Sequence, residues 1–304
     1  MKANLENRYI WLGGKIVPLP EAKISVLSPT AQFGANVFEG IRCYWNEAKQ
    51  QLYAFRLQEH HARLKNSMKI FRMEDKYTFE ELRNGLVDVV RANEYKEDIA
   101  VRQTVFLDGF GNWSSKGPVN MFIAPVPQGR LPQAGFNCCV SSWQRISDRN
   151  LSPKVKVGAN YINSRMAQLE ALASGFDSAI FMNELGKISE APGSCFFMVR
   201  DGQLITPPLG ASILESITRR TIMELAKTLP IQVLERDIDR TELYICEEAF
   251  LCGSAVEIMP VSSVDRIPTK CANEGEITRR LRALYLEVVR GKYDDYADWL
   301  TPIY

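Results

Sequence analysis

A break near the middle of the chain does most to limit what it can fold into. Residues 126–135, VPQGRLPQAG, are rich in Pro, Gly and Gln and carry few apolar anchors. They separate two long stretches with dense apolar periodicity. At 304 residues the chain is about two domains long. The break therefore reads as a boundary, with a smaller α+β domain over 1–126, an interdomain loop over 127–135 and a larger domain over 136–304.

The first stretch opens with a hairpin, Tyr9 to Leu12 and Lys15 to Val17 about a Gly13-Gly14 turn. Two strands around ANVFEGIRCYWNEAKQQLYAFRL follow, then a helix from about Glu59 to Arg72. A second helix starts at Thr78, with Glu81 completing a capping box. DIAVRQTVFLDGF and VNMFIAPV read as paired strands. The second stretch alternates strands with helices at SRMAQLEALASG, SITRRTIMELAKTL and EITRRLRALYLEVVRG. KVKVGANY reads as a strand running into the first of these. There is no internal repeat.

Composition excludes several functions. Lys plus Arg is 37 against 36 Asp plus Glu, so no broad phosphate footprint for nucleic acid or polybasic membrane face is expected. No apolar run approaches a membrane span or a signal segment, which makes a cytoplasmic protein the expectation. Seven cysteines, an odd number without C-x-x-C spacing, read as reduced thiols in the core. Only two histidines occur, His60 and His61, side by side on a helix. Neighbouring helix positions point about 100° apart, so the pair is poorly placed to act on one target. A helix-surface or packing role is their plain reading; no His-rich metal site is possible and none is expected.

Chemistry must then come from Lys, Tyr, carboxylates, Cys or a cofactor. No GxGxxG, Walker loop, HExxH or GxSxG is present. Lys156, between Val155 and Val157, faces away from both by alternation. It is either an edge lysine in solvent or an enclosed amine able to act as nucleophile and base. Ser216 caps the helix that begins Ile217-Thr218-Arg219, whose free amides suit a phosphate. Gly253-Ser254-Ala255 turns an apolar run. Arg56 closes a strand and can contact phosphate, and Glu190 precedes a turn and can face a ring nitrogen. Each has a bland alternative: a cap, a turn, a surface ion pair or a solvated carboxylate.

Taken together and in this order, these residues are far more specific than any one of them. From about Tyr9 to Arg290 the sequence resembles the branched-chain aminotransferase family, within the type IV fold of pyridoxal-phosphate enzymes. The resemblance is carried by FEGIR at 38–42, KVGANY at 156–161, Ser189-Glu190, Leu214 with Ile217-Thr218-Arg219, and Gly253-Ser254-Ala255. It implies a two-domain α+β fold with a barrel-like sheet in the larger domain, pyridoxal phosphate at the interdomain cleft, and a homodimer. It implies a Schiff base on Lys156, Glu190 on the pyridine nitrogen and Tyr161 at the phenolic oxygen. Leu214 would pack on the ring. The phosphate would be held by Arg56, Ser216, Ile217, Thr218 and Ser254. Substrate positions would be Phe33, Phe38, Gly40, Arg42, Ala100, Arg102, Gln128, Arg130, Ser254 and Ala255.

The implied reaction moves an amino group from an L-amino acid to a 2-oxo acid by ping-pong kinetics. The sequence departs from the family pattern mainly in the pocket. Ala100 and Phe33 stand where tyrosines are usual, Gln128 where an aromatic is usual, Ser216 for glycine, Ser254 for threonine and Cys195 for asparagine. Losing the phenol at Ala100 removes a donor and enlarges the site, a change that shifts substrate choice and allows a non-branched side chain. Alternatives with the same lysine are a lyase resembling aminodeoxychorismate lyase and a D-amino-acid or amine transaminase. A non-catalytic ligand-binding relative is the alternative from another class.

Overall fold

The computed structural model describes residues 7–129 and 134–304. Its strands are β1 (Tyr9–Leu12), β2 (Lys15–Pro18), β3 (Asn36–Asn46), β4 (Gln51–Phe55), β5 (Ile99–Leu107), β6 (Val119–Pro127), β7 (Phe136–Gln144), β8 (Ser178–Met182), β9 (Cys195–Arg200), β10 (Gln203–Thr206), β11 (Val233–Glu235), β12 (Glu248–Gly253), β13 (Glu257–Val264), β14 (Ile267–Pro268) and β15 (Leu300–Pro302). Its helices are α1 (Pro29–Phe33), α2 (Leu57–Ile70), α3 (Phe79–Ala92), α4 (Tyr161–Ala173), α5 (Ile217–Thr228) and α6 (Glu276–Val288). The described residues form two compact units, one of 7–129, 155–159 and 287–304, the other of 134–154 and 160–286.

The first unit is built on a seven-stranded antiparallel sheet in the order β15-β4-β3-β5-β6-β1-β2. The glycines of the β1–β2 turn, Gly13 and Gly14, both take positive φ, as a tight hairpin requires. Thr78 and Glu81 form the expected capping box at the start of α3. In β3 and β5 the odd-numbered residues Val37, Ile41, Cys43, Val101 and Val105 share one face. They are buried in one core with Leu64 and Met68 of α2 and Leu82, Leu86 and Val90 of α3. The even-numbered residues line the other face, and that face carries the pocket candidates.

The second unit holds an eight-stranded mixed sheet. Seven strands run in the order β11-β10-β9-β12-β13-β7-β8, with β14 added on β13. Beyond β8 the pairing continues: Ile188 bridges Met182, and Lys187 bridges Asp239, just after β11. The sheet thus curls back toward its own first strand, barrel-like. Its core includes Ile180, Phe196, Met198, Leu251 and Val261. Outside it, Ala167 and Ala171 of α4 pack on Ala179 and Phe181.

Two segments differ from the sequence expectation. The lysine segment was expected in the larger domain as a strand. It is a single bridge, Val157 to Val37, with Phe38 N–H donating to the Lys156 carbonyl at 2.9 Å, and it belongs to the first unit. Gly158 follows, where a Cβ would lie 2.7 Å from Asn36 Oδ1 and would make the Asn36 amide shift. The residues after α6 were expected in the larger domain too. They instead pair as β15 with β4 and bury Ile303 in the first unit's core. A linker near 130 marks one crossing of the chain, whereas such long-range pairing is invisible to local composition.

Candidate active site

In the first unit, β3 and β5 pair Phe38 with Thr104, Gly40 with Arg102 and Arg42 with Ala100. Directly paired residues share a face, so one surface displays Phe38, Gly40, Arg42, Ala100 and Arg102. Lys156 joins them. Its neighbours Val155 and Val157 are buried in the core, which turns the amine to the opposite side, and Nζ lies 5.0 Å from the centre of the Phe38 ring. The Arg102 guanidinium covers the same ring at 3.7 Å. Arg42 is buried, its guanidinium 5.2 Å from the Tyr44 ring. No neighbour fills the Cβ position of Gly40, which leaves open space on this face. Phe33, at the end of α1, is exposed, and Gln128 follows β6 with its N–H on the Asp98 carbonyl. Arg130 lies outside the described residues.

Arg56 sits at the junction of β4 and α2 in a left-handed conformation, φ 52°. It is 4% exposed and pairs with Glu59 at 2.8 Å. The face of Trp299 lies 3.5 Å from its guanidinium carbon.

The second unit organises a carboxylate and a helix start. Glu190 is buried, with Oε1 2.7 Å from Arg145 Nη2. Its Oε2 accepts the Leu214 N–H at 3.1 Å and the Cys195 thiol at 3.8 Å. Ser216 is the N-cap of α5, accepting from Arg219 N–H at 3.2 Å. Among the described residues no acceptor meets the amides of Ile217 and Thr218, which are orphan donors of the helix start. The Arg219 side chain is committed elsewhere, to Thr206, the Pro207 carbonyl and Glu235. Ser254 and Ala255 lie in the turn between β12 and β13, and Tyr161 opens α4.

The histidines part company as their spacing predicts. His60 Nδ1 lies 2.7 Å from Glu39 Oε2, and because a carboxylate only accepts, this nitrogen carries the proton. His61 Nε2 donates to Gln103 at 3.0 Å. Arg63 holds Glu39 by two bonds, 2.7 and 2.6 Å. Burial would raise the Glu39 carboxyl, but the Arg63 and His60 charges and hydrogen bonds outweigh it and hold it far below the usual range. Burial drives both histidines down, His61 to about 4. All seven cysteines are free thiols, six of them buried, and burial pushes Cys43 up to about 12. Among the described residues no cluster of His, Cys, Asp and Glu is placed to hold a metal, and no helix is long and apolar enough to cross a membrane.

Against known proteins, the model of the amino-transferase class IV family matches residues 36–264. A probable branched-chain-amino-acid aminotransferase of Aquifex aeolicus is 36% identical over 301 residues, 97% of each chain. The chain belongs to the branched-chain aminotransferases. Among solved members of this type IV fold, the branched-chain amino acid aminotransferase of Thermobaculum terrenum, in its PLP form, superimposes with a TM-score of 0.93 at 43% identity over 99% of both chains. The enzyme of Thermoproteus uzoniensis, solved with norvaline, matches at 0.93 and 41% identity over 98% of this chain and 99% of that one.

As a class IV aminotransferase the chain holds three features that sequence reasoning missed: Arg145 on Glu190, the Glu39 network beneath the FEGIR strand, and Trp299 on Arg56. For the second, the buried parity of β3 was the available signal, since Glu39 falls in phase with Val37 and Ile41. For the other two, no local pattern points to the partner.

Proposed function

We propose that this chain transfers the amino group of an L-amino acid to a 2-oxo acid using pyridoxal phosphate. The observation that carries the proposal is Lys156, its amine turned by two buried valines onto the face of Phe38, Gly40, Arg42, Ala100 and Arg102. The donor set fits the cofactor. There is one amine for the aldehyde and one buried carboxylate for the ring nitrogen. A buried guanidinium and two unclaimed helix amides suit the phosphate. When bound, the cofactor supplies the carbonyl that accepts the amino group and a ring that delocalises the electrons of the substrate Cα–H bond.

The residues then have separate duties. Lys156 Nζ would tether the cofactor through its aldehyde and, when freed from that link, would carry the substrate Cα proton to the carbon that bore the aldehyde. One lysine serves as tether and base, so no histidine is required. Glu190 holds the proton on the ring nitrogen, with Arg145 and the Leu214 amide fixing its orientation. Arg56, Ile217, Thr218 and Ser254 bind phosphate, Ser216 shapes that helix start, Leu214 packs on the ring and Tyr161 meets the phenolic oxygen. Arg102 receives the side-chain carboxylate of an acidic acceptor, with Arg130 as its companion. Ala100 and Phe33 leave a pocket with fewer hydrogen-bond donors, and Gln128 puts an amide where an aromatic face is usual, a reshaped pocket suited to a linear apolar donor side chain. We further propose a cytoplasmic homodimer. Exposed Val26, Phe110 and Trp113, each more than three-quarters exposed, support burial against a second copy.

The test is the visible spectrum of the purified protein before and after single L- and D-amino acids. A yellow band that L-amino acids bleach to the aminated cofactor is the expected result, and the donors that bleach it define the substrate. Bleaching only by D-amino acids moves the chain to another branch of the fold. No band after adding pyridoxal phosphate refutes the proposal.

A further inference from the structure

Arg56 is constrained in a way that phosphate binding alone does not explain. It occupies a left-handed backbone conformation, uncommon for a residue with a Cβ. Its N–H donates to the Trp299 carbonyl at 2.7 Å, and the Trp299 ring lies 3.5 Å from its guanidinium carbon. Both contacts come from one residue, 243 positions along the chain. Trp299 is itself fixed. It meets Phe55 edge-on, with 6.2 Å between ring centres, and Tyr296 at 4.4 Å, and Leu300, the next residue, pairs with Phe55.

We propose that Trp299 is the positioning residue for the phosphate-binding arginine, so that the segment before β15 sets how firmly the phosphate of the cofactor is held. The proposal rests on the pyridoxal-phosphate reading above. An arginine free to rotate gives up side-chain entropy when it binds a phosphate; one already laid on an indole face gives up less. The indole also offers a flat apolar surface that keeps water from one side of the guanidinium while adding a favourable cation–π contact. The effect is greatest in the aminated state of a ping-pong transaminase. In that state the cofactor has no covalent link to the protein, and phosphate contacts carry most of its retention.

The experiment follows cofactor loss from the holoenzyme. Wild type, Trp299→Leu and Trp299→Phe are aminated with an amino donor and diluted, and release of pyridoxamine phosphate is read by absorbance and fluorescence. Trp299→Leu is expected to release it about tenfold faster, while Trp299→Phe, which keeps an aromatic face, stays within about threefold of wild type. Release from the tethered, unaminated state changes much less. In an Arg56→Lys background, Trp299→Leu adds little, because the planar group that it orients is gone. If Trp299→Leu does not fold, Trp299→Met, which keeps bulk without a ring, makes the same comparison.

The proposal is overturned if Trp299→Leu releases cofactor like wild type. It is overturned equally if the substitution speeds both states alike, or adds its full factor on top of Arg56→Lys. A wild type that binds no pyridoxal phosphate defeats the parent reading instead. If Arg56→Lys alone leaves release unchanged, Arg56 loses its phosphate role, and the role of Trp299 falls with it.

Discussion

Each unit of this aminotransferase buries a glutamate against an arginine, and the two pairs are built for different ends. Glu39 has both oxygens held by cations or strong donors from one helix face: Arg63 by two bonds and His60 by one. Nothing further is asked of it, and the arrangement pins α2 to the β3 strand that carries Phe38 and Gly40 on its other side. Glu190 draws its partners from three separate segments. Arg145 takes Oε1, but among the described residues Oε2 receives only an amide and a weak thiol donor. A carboxylate so held keeps capacity for one more cationic donor, such as a protonated ring nitrogen. The same residue pair is a closed structural joint in one place and, on the proposed reading, the partner of the cofactor's ring nitrogen in the other. What separates them is the strength of the partners on the second oxygen.

Four tests, using five substitutions, sharpen or break that contrast. The largest expected effect is on catalysis. Glu190→Gln should slow the first half-reaction by about 10²–10⁴-fold in stopped-flow absorbance, because a neutral amide no longer keeps the ring nitrogen protonated. Glu39→Gln should leave that rate within about threefold and lower stability instead. Equal rate losses in the two variants would erase the distinction.

Arg63→Leu comes next. It leaves Glu39 buried with its cationic partner gone and two hydrogen bonds fewer, at a cost of about 3–5 kcal/mol in urea unfolding. A loss below about 1 kcal/mol would mean that water or another cation takes over the carboxylate.

Third is a pH effect. His61 is buried neutral, with its ring driven from 6.5 to about 4. Its contribution to stability is complete above about pH 6.5 and is lost as pH falls toward 4, where the unfolded chain binds the proton first. The full loss is about 3 kcal/mol. His61→Gln should flatten this acid limb, while His60, shifted the same way, preserves part of it. An unchanged pH–stability curve would mean that His61 is reached by water in the folded protein.

The smallest effect belongs to Cys195→Ala. The thiol is a weak donor at 3.8 Å, so the half-reaction rate should change by less than about threefold. A larger loss would promote the thiol to a real determinant of Glu190.

Much of the local structure was legible from the residues. The Gly13-Gly14 hairpin, the Thr78–Glu81 capping box and the Ser216 cap each depend on neighbours within a few positions. So did the turning of Lys156 away from Val155 and Val157, even though its segment forms a single bridge and not a strand. The contacts that distinguish the site were not legible. Arg145 reaches Glu190, and Trp299 reaches Arg56, across tens to hundreds of residues, and nothing in either local pattern names its partner. His60 and His61 stood between these cases. Helical spacing said that they would diverge, but only the fold shows that both point inward to Glu39 and Gln103.

The pairing of β15 with β4 has a consequence for the order in which a ribosome can deliver this molecule. Gln51 takes the Ile303 and Tyr304 amides, and Leu52 accepts from Ile303, so the outer edge of the first sheet stays open until residue 304 has left the exit tunnel. The segment 134–286, by contrast, emerges whole beforehand. The unit begun first is therefore the one finished last, and nascent chains halted between 286 and 304 should present β4 as a bare, aggregation-prone strand edge.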